Sequence, residues 1–220
     1  VRLVEYLNNF PVTQLVSDGS EADDVISFVA QLPFFSDWQK VIVSSDKDFF
    51  QLLDDEIVVY RPTQKEVLNK KDVIDKFGIH PTNFAMARAM VGDPSDNLAG
   101  IRGIGLPTVS KRLTFMKEEK SFTFSDIYDH CENVEKKLKI HTNILENKAV
   151  IEDNYKLMQL YSPAISVQGK EKIKYTLENA DMGFNKTGIT KIMYEIGFGE
   201  LNWSDLSATM RRISLENSGN

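Results

Sequence analysis

The stretch KVIVSSDKDFFQLLDDEIVVYRP (residues 40–62) decides the fold class of this chain. The run VIVSS after Lys40 is predicted to be a buried strand, because consecutive β-branched residues are typical of strands covered on both faces. DKDFFQLL (46–53) begins a short helix, and IVVYRP (57–62) forms a second strand that ends at Pro62. A strand, a helix and a strand joined by short loops predict an α/β fold with a largely parallel sheet.

The segments on either side extend this alternation and then become helical. Hydrophobic spacing and turn residues predict a helix at 3–10, a short strand at 12–16, and helices at 21–32, 69–79, 81–92 and over most of 109–198. We therefore expect an α/β part at residues 1–95, a helical part at 96–213 and a disordered tail at 214–220.

Length and composition exclude several classes of protein. The chain has 220 residues, of which 42% are apolar and 26% charged, as in globular domains. No stretch approaches the roughly 18 apolar residues of a membrane span, and no charged-then-apolar leader is present. Cys131 is the only cysteine, which excludes an internal disulfide and a multi-cysteine zinc site. We expect an intracellular protein without membrane contact.

Three acidic pieces carry the strongest functional signal. They are EADD (21–24) at a helix start, DKD (46–48) directly after a strand, and DPSD (93–96) before a glycine-rich loop. Each piece alone is also explained by helix capping or by a turn. Together they supply seven carboxylates, one pair of which lies where open α/β sheets bind ligands. Hard oxygen donors without histidine or cysteine favour Mg²⁺ or Mn²⁺.

The distribution of charge agrees with a cation site. The formal net charge of −6 by itself argues against nucleic acid as a partner. Setting the seven carboxylates aside leaves 25 acidic residues against 26 Lys and Arg. Once cations are bound, the protein can therefore present a neutral or positive face to DNA.

The segment GIRGIGLPTVSKRL (100–113) follows the last acidic piece and has the pattern of a hairpin between two helices. Gly103 and Gly105 allow a sharp turn and a close backbone approach, while Ile101 and Ile104 are expected to anchor the hairpin in the core. A helix is predicted to begin near Pro107, and its Lys111 and Arg112 can bind phosphate. The alternative is a helix corner that binds nothing.

The three acidic pieces, followed at once by this hairpin, resemble the structure-specific 5′-nuclease family. That family includes flap endonucleases, the 5′-nuclease domain of bacterial DNA polymerase I and phage RNase H-type 5′-nucleases. The matching strings are GSEADDVIS (19–27), VIVSSDKDFFQLL (41–53) and MVGDPSDNLAGIRGIG (90–105), and FNKTGITKIMYEIGFGEL (184–201) is similar to the end of the polymerase-type domain. The family's first acidic strands and helical arch have no counterpart here. The resemblance therefore implies an N-terminally truncated, PIN-like α/β nuclease domain with a helical region that contains a helix–hairpin–helix.

The resemblance also implies roles for individual residues. It makes two Mg²⁺ or Mn²⁺ ions the cofactors, with catalytic positions at Asp46, Asp48 and Asp96. The full set of implied metal ligands is Glu21, Asp23, Asp24, Asp46, Asp48, Asp93 and Asp96. The implied DNA-binding residues are Gly100, Arg102, Gly103, Gly105, Lys111 and Arg112, and the hairpin carbonyls are expected to hold K⁺.

The implied activity is hydrolysis of phosphodiesters at 5′ ends, flaps or RNA primers on duplex DNA during replication or repair. The expected substrate is branched or 5′-ended duplex, or an RNA–DNA hybrid. We expect a stand-alone, phage-like monomer in the cytoplasm or nucleoid, with a single-strand-binding or other replication protein as partner. Two alternatives remain: a non-catalytic DNA-binding module, and a D-x-D phosphatase that has no use for the hairpin.

Overall fold

The computed structural model describes residues 2–181, 183–197 and 202–217. The chain divides into two compact units, one formed by residues 1–20 with 165–220 and the other by residues 21–164. The boundary predicted between residues 95 and 96 falls inside the larger unit. The division into an α/β part and a helical DNA-binding part stays a prediction. No helix in the described ranges is long and apolar enough to cross a bilayer.

The larger unit contains a three-stranded sheet, and two of its strands come from residues 40–62. Its strands are β1 (Lys40–Val43), β2 (Ile57–Arg61) and β3 (Glu66–Leu68), in that spatial order. β1 and β2 are parallel, as predicted, and a 3₁₀ helix (Asp48–Leu52) lies between them in the chain. β3 was not predicted and pairs with β2 antiparallel, with Val59 opposite Leu68.

The prediction that β1 is buried on both faces is wrong. Ile42 is buried, but Val41 and Val43 are 54% and 63% exposed. β1 lies at the edge of the described sheet, and alternate residues of a strand point to opposite faces. Only the Ile42 face is therefore covered by the core of this unit.

The larger unit also contains seven helices. They are α2 (Ala22–Ala30), α3 (Lys70–Phe77), α4 (Phe84–Val91), α5 (Leu106–Arg112), α6 (Phe124–Asn133), α7 (Lys139–Glu146) and α8 (Lys148–Met158). Further 3₁₀ turns span Pro33–Phe35, Pro81–Asn83 and Thr114–Lys117. A two-residue ladder joins β4 (Gly92–Asp93) to β5 (Leu98–Ala99) just after α4.

Helix α4 is the centre of this unit because almost all of its residues are buried. Its Phe84 packs against Phe50 and Phe77, with ring centroids 5.5 Å from each. On another side α4 packs against α8, whose Asn154 amide donates to the carbonyls of Ala89 and Ala99, each at 3.0 Å. The Asn154 amide therefore ties α8 to α4, which precedes the β4–β5 turn, and to β5, which follows it.

The smaller unit contains α1 (Arg2–Leu7), α9 (Val167–Glu178), α10 (Lys186–Ile196) and α11 (Trp203–Asn217). The strand predicted at residues 12–16 is wrong: this segment pairs with no described strand. It is held to α1 instead by the Gln14 amide, which donates to the Val4 carbonyl at 2.9 Å. Helix α11 includes the first four residues of the predicted disordered tail, and residues 218–220 and 198–201 lie outside the described ranges.

Candidate metal centre

Three carboxylates from two separate segments converge in the larger unit. Asp48 is the first residue of the 3₁₀ helix after β1, and Asp93 and Asp96 flank the turn after α4. One oxygen from each lies within 4.8 Å of the other two. Asp48 is buried, Asp93 is half-buried and Asp96 is exposed, so the cluster opens to solvent on the Asp96 side.

The buried guanidinium of Arg88 joins two of these carboxylates. Its Nε donates to Oδ1 of Asp48 at 2.8 Å, and its Nη2 donates to Oδ2 of Asp93. The side chains of Arg88 and Asp48 are only 9% and 12% exposed. Arg88 therefore fixes the spacing between the 3₁₀ helix and the turn after α4, and it neutralises part of their negative charge.

Burial and pairing shift the acidity of these groups in different directions. Loss of solvation raises the pKa of Asp48, although Arg88 opposes the shift. Hydrogen bonds from Ser95 lower the pKa of Asp93 to about 2, with a further contribution from Arg88. Burial alone would lower the pKa of Arg88, but its bonds to the two carboxylates outweigh this and raise it. Arg88 is therefore charged, and Asp93 is ionised at neutral pH.

The turn that carries Asp93 and Asp96 is closed by two glycines. A Cβ on Gly100 would lie 1.8 Å from the Val91 carbonyl oxygen, and one on Gly92 would lie 2.3 Å from the Gly100 nitrogen. Gly92 also has a φ of +75°, where side chains are strained. The two backbones therefore touch at the base of the turn. Within it, the backbone N–H of Ser95 donates to Asp93 Oδ1 at 2.8 Å.

The other four predicted ligands lie outside the three-carboxylate group. Asp46 is exposed, and its Oδ1 accepts the Asp48 N–H at 2.8 Å at the start of the 3₁₀ helix. Glu21 is the N-cap residue of α2 and makes no side-chain cap bond. Asp23 accepts the Asp24 N–H, and Asp24 accepts the Ala164 N–H at 2.9 Å. Helix α2 nevertheless packs against the 3₁₀ helix that carries Asp48.

The donor set of this cluster fits a divalent cation. Carboxylate oxygens are the ligands that Mg²⁺ and Mn²⁺ prefer, and two ligands across an ion at about 2.1 Å lie about 4.2 Å apart. One oxygen of each carboxylate lies within 4.8 Å of the other two, which is close enough for the three to approach a common ion. Asp48, Asp93 and Asp96 are thus near enough to share one ion, while Arg88 competes for oxygens of Asp48 and Asp93.

The glycine hairpin follows this cluster and matches its prediction in part. Ile101 and Ile104 are buried and anchor it, and α5 begins at Leu106 with Pro107 in its first turn. Gly103 has a φ of +80° and needs to be glycine. The requirement at Gly105 is wrong: its φ of −125° suits any residue, and a Cβ there would meet only Pro107 Cδ, at 3.7 Å.

The basic residues predicted to bind DNA are all exposed. Arg102 lies on the hairpin, and Lys111 and Arg112 lie in the last turn of α5. Gly100, by contrast, faces the Val91 backbone and has the structural role described above.

Sequence reasoning missed Arg88 and Gly92. The signal for Arg88 was a single charge within the otherwise apolar helix FAMARAMV (84–91), where an unpaired cation would be costly. Such a residue needs a buried anion, and the nearest acidic piece begins at Asp93. Gly92 stands next to that aspartate and could have been recognised as a turn glycine.

Comparison with known proteins gives consistent results. The sequence profile of the 5′-3′ exonuclease N-terminal resolvase-like domain matches residues 2–78. A 5′-3′ exonuclease of Aquifex aeolicus is 32% identical over 76% of this chain and 54% of its own length. A 5′-3′ exonuclease of Buchnera aphidicola subsp. Schizaphis graminum is 33% identical over 70% of this chain and 51% of its own. The chain thus spans about half the length of these relatives.

Solved structures show a related fold. A mutant of the bacteriophage T5 5′-exonuclease matches with a TM-score of 0.61 at 23% identity, over 74% of this chain and 67% of that chain. The T5 flap endonuclease, crystallised as a pseudo-enzyme–product complex with DNA and metal ions, also matches with a TM-score of 0.61, at 22% identity over 74% and 60% of the two chains.

Proposed function

We propose that this chain is a 5′-nuclease that hydrolyses phosphodiesters at 5′ ends, flaps or RNA primers on duplex DNA with the help of divalent cations. The single observation that carries the proposal is the convergence of Asp48, Asp93 and Asp96 from two segments of the chain. A cluster of hard donors beside a basic hairpin is an arrangement suited to phosphate chemistry.

The cation site is proposed to hold Mg²⁺ or Mn²⁺. In two-metal phosphodiester hydrolysis, ions about 4 Å apart lower the pKa of a water and stabilise the leaving oxygen. In this chain Asp48, Asp93 and Asp96 are the proposed ligands of one ion. Asp46 and the α2 acids Glu21, Asp23 and Asp24 are proposed to complete a second site, because α2 packs against the 3₁₀ helix of Asp48. Arg88 holds Asp48 and Asp93 in position.

The hairpin and the helix α5 after it are proposed to bind the DNA backbone as part of a helix–hairpin–helix. A Cβ on Gly103 would meet nothing within 4 Å, so the backbone there is open to a partner. Arg102, Lys111 and Arg112 are exposed and supply positive charge. We further propose K⁺ at the hairpin carbonyls, a monomeric protein inside the cell near the nucleoid, and a single-strand-binding or other replication protein as partner. These finer assignments rest on the family resemblance.

A cleavage assay tests the proposal. The 220-residue chain is incubated with 5′-labelled flap, nicked and blunt duplexes, with Mg²⁺ or Mn²⁺, beside Asp96→Asn as a matched variant. We expect short 5′ products from the wild-type chain and none from the variant, because loss of a ligand removes charge stabilisation of the transition state. DNA binding without cleavage in either metal would favour the non-catalytic module. Turnover of p-nitrophenyl phosphate without action on DNA would favour the phosphatase.

A further inference from the structure

A cleft of about 810 Å³ lies between the glycine hairpin and helix α7 in the larger unit. One wall is formed by hairpin residues 101–104 with Arg112 of α5, and the other by the start and exposed face of α7. The buried side chains of Ile101, Ile104 and Ile140 line its base. The cleft therefore combines an apolar floor with walls from two separate segments.

Three cations from three different elements line this cleft. Arg102 comes from the hairpin, Arg112 from the end of α5 and Lys139 from the first turn of α7. All three are exposed, and none forms an ion pair within the described part of the chain. No Asp or Glu is among the described residues that line the cleft. Its positive charge is thus left uncompensated by the protein.

Polar side chains extend this wall along α7. Lys139, Asn143 and Asn147 are spaced four residues apart and so lie along one face of the helix and its C-terminal cap. Asn143 is half-buried and lines the cleft. The side-chain amide of Asn143 can offer two hydrogen-bond donors and one acceptor to a ligand in the cleft.

The buried imidazole of His141 responds to the same positive charge. Its pKa is lowered mainly by loss of solvation, and further by the nearby charges of His130, Arg112 and Lys137. Arg112 of α5 and Lys137 of the loop before α7 therefore both lie close enough to His141 to lower its pKa. The positive region thus continues from the hairpin into α7.

We propose that this cleft holds the sugar–phosphate backbone of one strand of bound duplex DNA, with Lys139 and Asn143 as a second wall opposite the hairpin. The inference rests on the proposed function and adds α7 to the binding surface, which the sequence confined to the hairpin and α5. Phosphate oxygens accept hydrogen bonds from Arg, Lys and Asn side chains, and no carboxylate in the lining repels them. The apolar floor can accept the sugars of that strand.

Fluorescence anisotropy with a labelled duplex tests the inference, in EDTA so that no cleavage occurs, across a salt series. The variants are Lys139→Ala, Lys139→Glu and Asn143→Ala. Lys71→Ala is the matched control, because Lys71 is exposed on α3 and does not line the cleft. We expect Lys139→Ala to weaken binding roughly three- to tenfold and to reduce the salt slope by about one. Lys139→Glu should weaken it further, and Asn143→Ala should weaken it without changing the slope, because it removes no charge.

All three α7 variants should fold, since both positions are solvent-accessible and an acid in the first turn of a helix is favourable; circular dichroism melts check this. Wild-type affinity and slope in all three would overturn the inference while leaving the proposed function in place. A loss confined to a free deoxynucleoside monophosphate, with duplex binding unchanged, would also overturn it in favour of a mononucleotide site. Absence of duplex binding by the wild-type chain would overturn the proposed function and this inference together.

Discussion

The Nε of Arg88 donates a 2.8 Å hydrogen bond to Oδ1 of Asp48, and both side chains are almost fully buried. A second bond from Arg88 reaches Asp93, so one cation bridges the 3₁₀ helix after β1 and the turn after α4. Removing one partner of a buried ion pair lowers the stability of the fold by more than the intact pair adds to it, because the other charge is left buried without a partner. The same carboxylates are the proposed ligands of a divalent ion, and Arg88 and that ion therefore serve as alternative counter-charges.

Arg88→Met is expected to destabilise the metal-free protein by about 3–5 kcal/mol, because it leaves Asp48 and Asp93 without their buried partner. Millimolar Mg²⁺ should recover part of this loss, since an ion that binds only the folded state stabilises it. Thermal melts in EDTA and in Mg²⁺ measure both effects. Arg61→Met is the matched control, because Arg61 pairs with Glu66 outside the cluster. A Mg²⁺ shift in Arg88→Met no larger than in wild type would contradict this relation.

Asp46→Asn separates the turn role of Asp46 from its proposed metal role. The side-chain oxygen of asparagine can still accept the Asp48 N–H, so stability in EDTA should stay within about 0.5 kcal/mol of wild type. Loss of one carboxylate should nevertheless weaken Mn²⁺ binding, as followed by calorimetric titration. Unchanged Mn²⁺ affinity and stoichiometry would remove Asp46 from the proposed site.

Gly100→Ala and Gly105→Ala should behave oppositely in chemical denaturation. The new Cβ at residue 100 would overlap the Val91 carbonyl and force the turn apart, at a cost of about 1–3 kcal/mol or more. At residue 105 the Cβ has room and the backbone is extended, so stability should change by less than about 0.5 kcal/mol. Equal stability of the two variants would show that the close backbone contact below Asp93 and Asp96 does not hold the turn.

His141→Gln should reduce the acid sensitivity of the fold. Burial lowers the folded-state pKa of His141 below its usual 6.5, so protons bind first to the unfolded chain. The stability contributed by neutral His141 is thus complete above about pH 6.5 and is lost as the pH falls towards the folded pKa. Denaturation curves at pH 7, 6 and 5 should show a steeper loss in wild type than in the variant. Parallel losses in the two proteins would exclude His141 as the source.

Much of the fold was predictable because its local signals were strong. β-Branched runs marked β1 and β2, and Ile101, Ile104 and Pro107 marked the hairpin and the start of α5. The sequence could not show that one face of β1 is exposed, because the exposure of Val41 and Val43 depends on which elements pack beside the strand. The strand prediction for residues 12–16 was wrong for a similar reason, because a segment with β propensity forms a strand only where a partner strand is available for pairing.

The candidate site was predictable in its residue types and less so in its geometry. The spacing of three acidic pieces indicated a cation site, and the fold brings Asp48, Asp93 and Asp96 together. Arg88 stood out locally as the one charge in an apolar helix, but its bond to Asp48, 40 positions away, leaves no pattern in the sequence. The sequence predicts that both Gly103 and Gly105 must be glycine, but only Gly103 has a positive φ angle. The sequence does not show which of two nearby glycines adopts that angle.

Titration of Mn²⁺ into the wild-type chain and into Asp96→Asn, by isothermal calorimetry, tests whether the three carboxylates bind a metal ion. Asp96 is exposed, so the variant should remain folded, and Asp153→Asn serves as a control at an exposed carboxylate outside the cluster. We expect saturable Mn²⁺ binding by the wild type and by Asp153→Asn, with affinity at least about tenfold weaker in Asp96→Asn, because one of few charged ligands is lost. Identical Mn²⁺ affinity and stoichiometry in all three proteins would contradict a metal centre at Asp48, Asp93 and Asp96.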